Sequence, residues 1–161
     1  MKKNLITLGL GLLLVAIPMQ LSTATLNIAA ITALPFNDQC QYARYNGELW
    51  PATTTTWRTY YAPVYLPNDA RIKALTLFYR DNVAGYIEFK LIRRNTYTGA
   101  IQTIVSHQST VNTSVDQIIK VTSVNWAINK INNSGYTYYL EIFFSEAGGL
   151  SSSFNGAKVL Y

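Results

Sequence analysis

The sequence predicts an all-β domain, an antiparallel β-sandwich of the jelly-roll or Greek-key type with about seven to nine strands. Three observations predict it. Residues 87–91 and 136–144 alternate apolar and polar with a period of two, the mark of strands with one buried face. Turn signals such as Pro67-Asn68-Asp69 and Asn132-Asn133-Ser134-Gly135 recur at the spacing of sandwich strands. No amphipathic run of three helical turns appears anywhere in the 161 residues.

The chain opens on a segment that reads as a secretory signal peptide over residues 1–24. Met1-Lys2-Lys3 is basic, residues 5–19 are apolar, and Ser22-Thr23-Ala24 offers a small-residue cleavage site. Left uncleaved, the same segment would be barely long enough for a membrane anchor, the one route by which a membrane enters. Removing Lys2 and Lys3 lowers the net charge from +5 to +3. No basic stripe is visible, and Arg93-Arg94 is the longest run, so nucleic acid is not an expected partner. A single cysteine, Cys40, rules out an internal disulfide. Core burial must hold the fold together, and Cys40 is either a free or intermolecular thiol or a small buried hydrophobe.

Residues 25–36 form an uncharged apolar strand or arm, with Leu26, Ile28, Ala30 and Leu34 on one face and Ile31 on the other. It is either the first strand of the chain's own sheet or an arm that completes a neighbouring subunit's sheet, joining copies head to tail. On the second reading Leu26, Ile28, Ala30, Ile31 and Leu34 are the subunit contacts.

Residues 37–161 make one sandwich domain. Residues 37–56 read as loop, 57–66 as a strand whose Pro63 implies an edge or a bulge. Residues 70–95 carry two extended runs broken by Asp81, Asn82 and Gly85, and read as an antiparallel pair at the centre of the fold. Strands are expected at 101–107, 117–124, 136–145 and 154–161, with residues 108–116 an irregular crossing and 126–131 a helical turn or return loop.

The search for chemistry is largely negative. His107 is the only histidine, and no nucleophile motif accompanies it, so it is expected at a strand end on the surface. Glu88 and Glu141 could serve a glycosidase as a carboxylate pair, but strand alternation already explains them as outward positions paired across strands with Lys90 or Arg80. No metal-ligand spacing appears. Asp69, Asp81, Asn82, Asp116 and Glu146 fall at turns, where calcium is the one ion worth considering as a cofactor. The chain holds 12 tyrosines and 3 tryptophans. Many suit a strand core, whereas Trp50, Trp57, Tyr97 and Trp126 stand out as rings able to stack on a sugar or seal an interface.

The sequence thus points to a secreted, non-enzymatic structural subunit of an extracellular or cell-surface assembly, self-associating by N-terminal strand exchange into a filament. The alternative is a carbohydrate-binding module or lectin-like adhesion domain with a glycan as partner.

Overall fold

A computed structural model describes residues 23–52, 58–110, 112–146 and 151–161. Residues 1–22 of the expected leader and Trp57 therefore lie outside the described residues. Among the described residues, no helix is long and apolar enough to cross a membrane.

Eleven strands are described: β1 (Thr25–Ala29), β2 (Leu34–Pro35), β3 (Tyr42–Tyr45), β4 (Glu48–Pro51), β5 (Thr59–Pro63), β6 (Ala74–Asp81), β7 (Ile87–Asn95), β8 (Ile101–Gln108), β9 (Thr113–Val121), β10 (Tyr136–Phe144) and β11 (Ser152–Leu160). They form two antiparallel sheets. One runs β3-β4-β11-β6-β9, with β1 also on β11; the other runs β2-β5-β10-β7-β8. The pairs nest: β4 with β11, β5 with β10, β6 with β9 and β7 with β8. That nesting, with strands shared between two facing sheets, is the jelly roll.

Alternation builds the core between the sheets. Leu75, Leu77 and Tyr79 of β6 face Ile87, Phe89 and Leu91 of β7, and Tyr138, Leu140, Ile142 and Phe144 of β10 join them, all buried. Each fully buried aliphatic or aromatic side chain here contributes roughly 1.5–3 kcal/mol. Tyr79 and Phe89 touch across the interior with ring centroids 5.2 Å apart.

This contact corrects the expected central hairpin. β6 and β7 belong to different sheets, so the connection at residues 82–86 turns a corner of the sandwich. Alternation shows which side of a strand is buried, and both runs satisfy it equally from opposite sheets. The stretch read as loop also holds two strands, β3 and β4. Asn46 (φ 51°) and Gly47 (φ 83°) close the hairpin β3–β4, since adjacent positive φ values suit a two-residue hairpin turn. β9 begins at Thr113, inside the stretch read as an irregular crossing.

The N-terminal strand is not one continuous element. Leu26 and Ile28 turn inward from β1, which pairs with β11 from Thr25↔Leu160 to Ala29↔Gly156. A 3₁₀ turn at Ala30–Thr32 then carries the chain to the other sheet, where β2 lies on β5. Ile28 and Ala30 are buried in the chain's own core, whereas Ile31 and Leu34 are exposed. The strand thus completes its own sheet, and its burial calls for no second subunit. Cys40 is buried too, its thiol 3.4 Å from Asn37 Oδ1.

Candidate functional site

The outer face of the sheet β2-β5-β10-β7-β8 carries the site. Residues alternate with the buried set, so Tyr61 of β5, Tyr139, Glu141 and Phe143 of β10, and Glu88, Lys90 and Arg94 of β7 share that face. Pairing aligns them in rows: Tyr61 lies opposite Glu141, Glu141 opposite Lys90, and Phe143 opposite Glu88. Ile92 lies opposite Tyr139 on the same face yet is only 2% exposed, so neighbouring side chains cover it and form a floor.

Aromatic rings brace one wall. Tyr61 meets Tyr139 edge-on, with centroids 5.0 Å apart, and Phe36 meets Tyr61 in the same way at 5.8 Å. Phe36 follows β2, and both Phe36 and Leu34 remain more than half exposed. A groove of about 1050 Å³ opens beside them, lined by Leu34, Phe36, Tyr61, Tyr65, Arg94 and Tyr139 among others. A second depression of about 300 Å³ shares Phe36 and Tyr61 and reaches Glu88, Lys90, Glu141 and Phe143. A third, of about 460 Å³, shares Arg94 and Thr137 with the first and ends at the turn 95–99. The shared residues make the three continuous. From Phe143 to Thr137 alone the path spans about 20 Å at strand rise.

The charges on this face are ordered. Lys90 Nζ lies 2.7 Å from Glu88 Oε2 and 3.8 Å from Glu141 Oε1. The Glu88 carboxylate, reinforced by Glu141, holds the Lys90 ammonium above its usual range. Burial raises the Tyr61 hydroxyl, and the Glu141 carboxylate it bonds raises it further. Burial likewise raises Tyr139. The face therefore presents phenol donors, the carboxyl groups of Glu88 and Glu141, and one ammonium engaged by both. Glu88 and Glu141 both lie on the outer face as expected; Glu141 meets Lys90 across the strands, whereas Glu88 meets it along its own strand.

The expected stacking rings fare differently. Tyr97 stands 85% exposed on the β7–β8 turn, at the Arg94 end of the groove. Trp126 is exposed on the β9–β10 connection but lines none of these depressions. Trp50 is 8% exposed on β4 in the other sheet, so it has no free face for a sugar. Trp57 is not among the described residues. The rings that gather, Phe36, Tyr61, Tyr139 and Phe143, are not among the candidates the sequence singles out. The missed signal is their phase: in 136–144 the set Thr137, Tyr139, Glu141 and Phe143 alternates against the apolar stripe.

His107 also departs from expectation. It lies opposite Phe89 and packs inward, with Nε2 3.3 Å from the Tyr79 hydroxyl. Burial lowers its pKa. Of the turn acids, Asp69 is bonded to Lys130 at 2.7 Å and Asp116 to Arg80 at 2.8 Å, while buried Asp81 accepts a hydrogen bond from Ser109. Among the described residues, no three His, Cys, Asp or Glu side chains gather as a metal site would require.

No protein-family model matches the chain, and no curated protein matches it. Solved structures similar to it include a low-affinity xylan-binding module of carbohydrate-binding module family 86 from the gut symbiont Roseburia intestinalis. That match has 11% identity, covers 87% of this chain and 96% of the other, and has a TM-score of 0.47. A family 29 carbohydrate-binding module matches at 11% identity, 86% of each chain and a TM-score of 0.49. A Clostridium thermocellum xylanase fragment, with a family 22 module and bound xylohexaose, matches at 12% identity over 86% of this chain and 28% of that one, TM-score 0.48. The jelly-roll assignment rests on this chain's own strand pairing.

Proposed function

We propose that this domain is a non-catalytic module that binds linear glycans along the outer face of the sheet β2-β5-β10-β7-β8. One observation carries the reading: a continuous open groove in which braced rings, Phe36, Tyr61 and Tyr139, stand beside carboxylates able to accept sugar hydroxyls. A sugar ring offers apolar C–H faces and a rim of hydroxyls. It needs aromatic surface and a few placed polar groups, the composition of a small-molecule site. A groove that runs about 20 Å along the sheet suits several sugars of a chain in a row.

The carboxylates support binding over hydrolysis. A glycosidase needs one carboxyl kept protonated as general acid. Lys90 lies within ion-pair distance of both Glu88 and Glu141, so one shared cation engages the pair, and nothing in their surroundings sets one apart as an acid and the other as a base. The leader read at residues 1–24 fits a module that meets polysaccharide outside the cell. The pairing of β1 within its own sheet supports a monomeric module over a strand-exchanged filament.

The test is calorimetry or affinity electrophoresis of the full domain with xylohexaose, mannohexaose, cellohexaose and their parent polysaccharides. At least one should bind, and Tyr61→Ala and Tyr139→Ala should each weaken it about tenfold, the equivalent of ~1.4 kcal/mol. Trp126→Ala should leave affinity unchanged. No binding across the panel, or binding indifferent to both tyrosines, overturns the proposal.

A further inference from the structure

The charges along the groove are unevenly spent. At the Phe143 end, Lys90 sits between Glu88 and Glu141, so that segment carries an excess of one negative charge and has no cation to spare. At the other end stands Arg94. It is exposed, opposite Thr137 on β10, and shared by the central groove and the end depression. Neither of those two linings contains an Asp or Glu. Among the described residues no carboxylate lies within ion-pair distance of Arg94. Other arginines are occupied: the adjacent Arg93 donates to Gln102 and lies over the Tyr136 ring, and further away Arg80 pairs with Asp116 and Arg58 donates to the carbonyls of Phe144 and Ser145.

The turn beneath Arg94 is a rigid support. Asn95 Oδ1 accepts from the amides of Tyr97 and Thr98, the Asn95 carbonyl accepts from Gly99, and Thr96 donates to the Gly135 carbonyl. With those amides satisfied internally, the guanidinium and the Thr137 hydroxyl remain as donors facing the depression. Gly99 (φ +73°) closes the turn, and a Cβ there would lie 3.7 Å from Arg94 Nη2, so the turn packs directly against the guanidinium. The Tyr97 ring stands beside them, 85% exposed.

We infer that this end of the groove is a carboxylate-binding subsite, so that the ligand class is a linear glycan of mostly neutral sugars that also carries an acidic one. The inference rests on the glycan-binding reading above. A guanidinium matches a carboxylate with two parallel N–H donors, which a hydroxyl cannot use in the same way. The central carboxylates repel an acidic sugar placed over them. The charge therefore also orients the chain, with its acidic unit at the Arg94 end.

The test uses glucuronoxylan and the same polymer after reduction of its carboxyl groups, with the full domain in affinity electrophoresis at low salt. The acidic polymer should bind tighter by up to about fivefold, the upper end for an exposed charge pair. That preference should vanish in Arg94→Gln and at high salt, and persist in part in Arg94→Lys. Thermal melting of each variant checks that the fold is intact. Equal binding of both polymers, a preference that survives Arg94→Gln, or binding confined to neutral oligosaccharides overturns the subsite and leaves glycan binding standing. Failure of every sugar overturns both.

Discussion

Replacing Gly156 with alanine should destabilise the domain by about 2–3 kcal/mol, through the docking of its first strand. Gly156 sits at φ +144° just after a bulge in β11, paired with Ala29 of β1 and Phe78 of β6. A Cβ there would lie 2.9 Å from the Ile28 carbonyl oxygen, a backbone atom that no rotamer change can move. Two responses are open. The strand can stay, at the cost of an unfavourable φ for an L-residue, roughly 1–3 kcal/mol, plus the close contact. Or β1 can lift and expose Ile28, now 4% accessible, which forfeits about 1.5–3 kcal/mol. The cheaper route sets the loss. Gly47→Ala is the control, because Gly47 also has positive φ (+83°) but meets nothing within 4 Å. It should lose only the conformational part, about 1 kcal/mol. Urea unfolding of both variants gives the comparison, and a smaller m-value for Gly156→Ala would show that β1 has come away. A shift below about 0.5 kcal/mol, or one no larger than that of Gly47→Ala, would refute the reasoning.

Other outcomes follow from the same geometry. Lys90→Met leaves Glu88 and Glu141 without their shared cation, so stability at neutral pH should drop by about 0.5–1 kcal/mol; urea denaturation of the variant beside the parent checks this. Asp81 is buried, and burial raises its carboxyl above the ordinary value of 3.8. The folded state then holds its proton more tightly than the unfolded state, and stability falls as pH rises from 3.8 through the raised value. Asp81→Asn should flatten that part of the urea-midpoint profile; an unchanged slope would assign it to other groups. Light scattering of the chain from residue 25 should report monomers, and polymers would restore strand exchange as the leading reading.

Much of the fold was legible because alternation is a local property. The buried faces of β7 and β10 are the ones their residues announce, and Pro63 does mark a weakly covered strand, since β2 pairs only with Tyr60 and Tyr61. Sheet membership was not legible. Nothing within residues 70–95 distinguishes a hairpin from a corner, because the choice depends on β10 and β11, more than forty residues downstream. The hairpin at Asn46 and Gly47 carried a usable signal that the surrounding prolines and threonines obscured. The choice of candidate rings rested on a related premise. A ring in a predicted loop reads as free and a ring in a strand as core, yet Trp50 is covered while Tyr61 and Tyr139 line an open face. Phase within a strand was the better guide. Arg94 could not be singled out, because a free charge is recognised only once the partners of all the others are known.

The close of the first sheet has an architectural consequence. Ala24 and Tyr161 exchange two backbone hydrogen bonds, at 3.0 and 2.9 Å. Sequence preceding one and sequence following the other would leave from a single corner, on the sheet opposite the groove. A short loop could join the two and make the chain circular, to be reopened at the β3–β4 hairpin with the strand pairing preserved. Tethered from that corner, to a surface or to a further polypeptide, the domain would hold its groove outward, as a hand is held open at the end of a wrist.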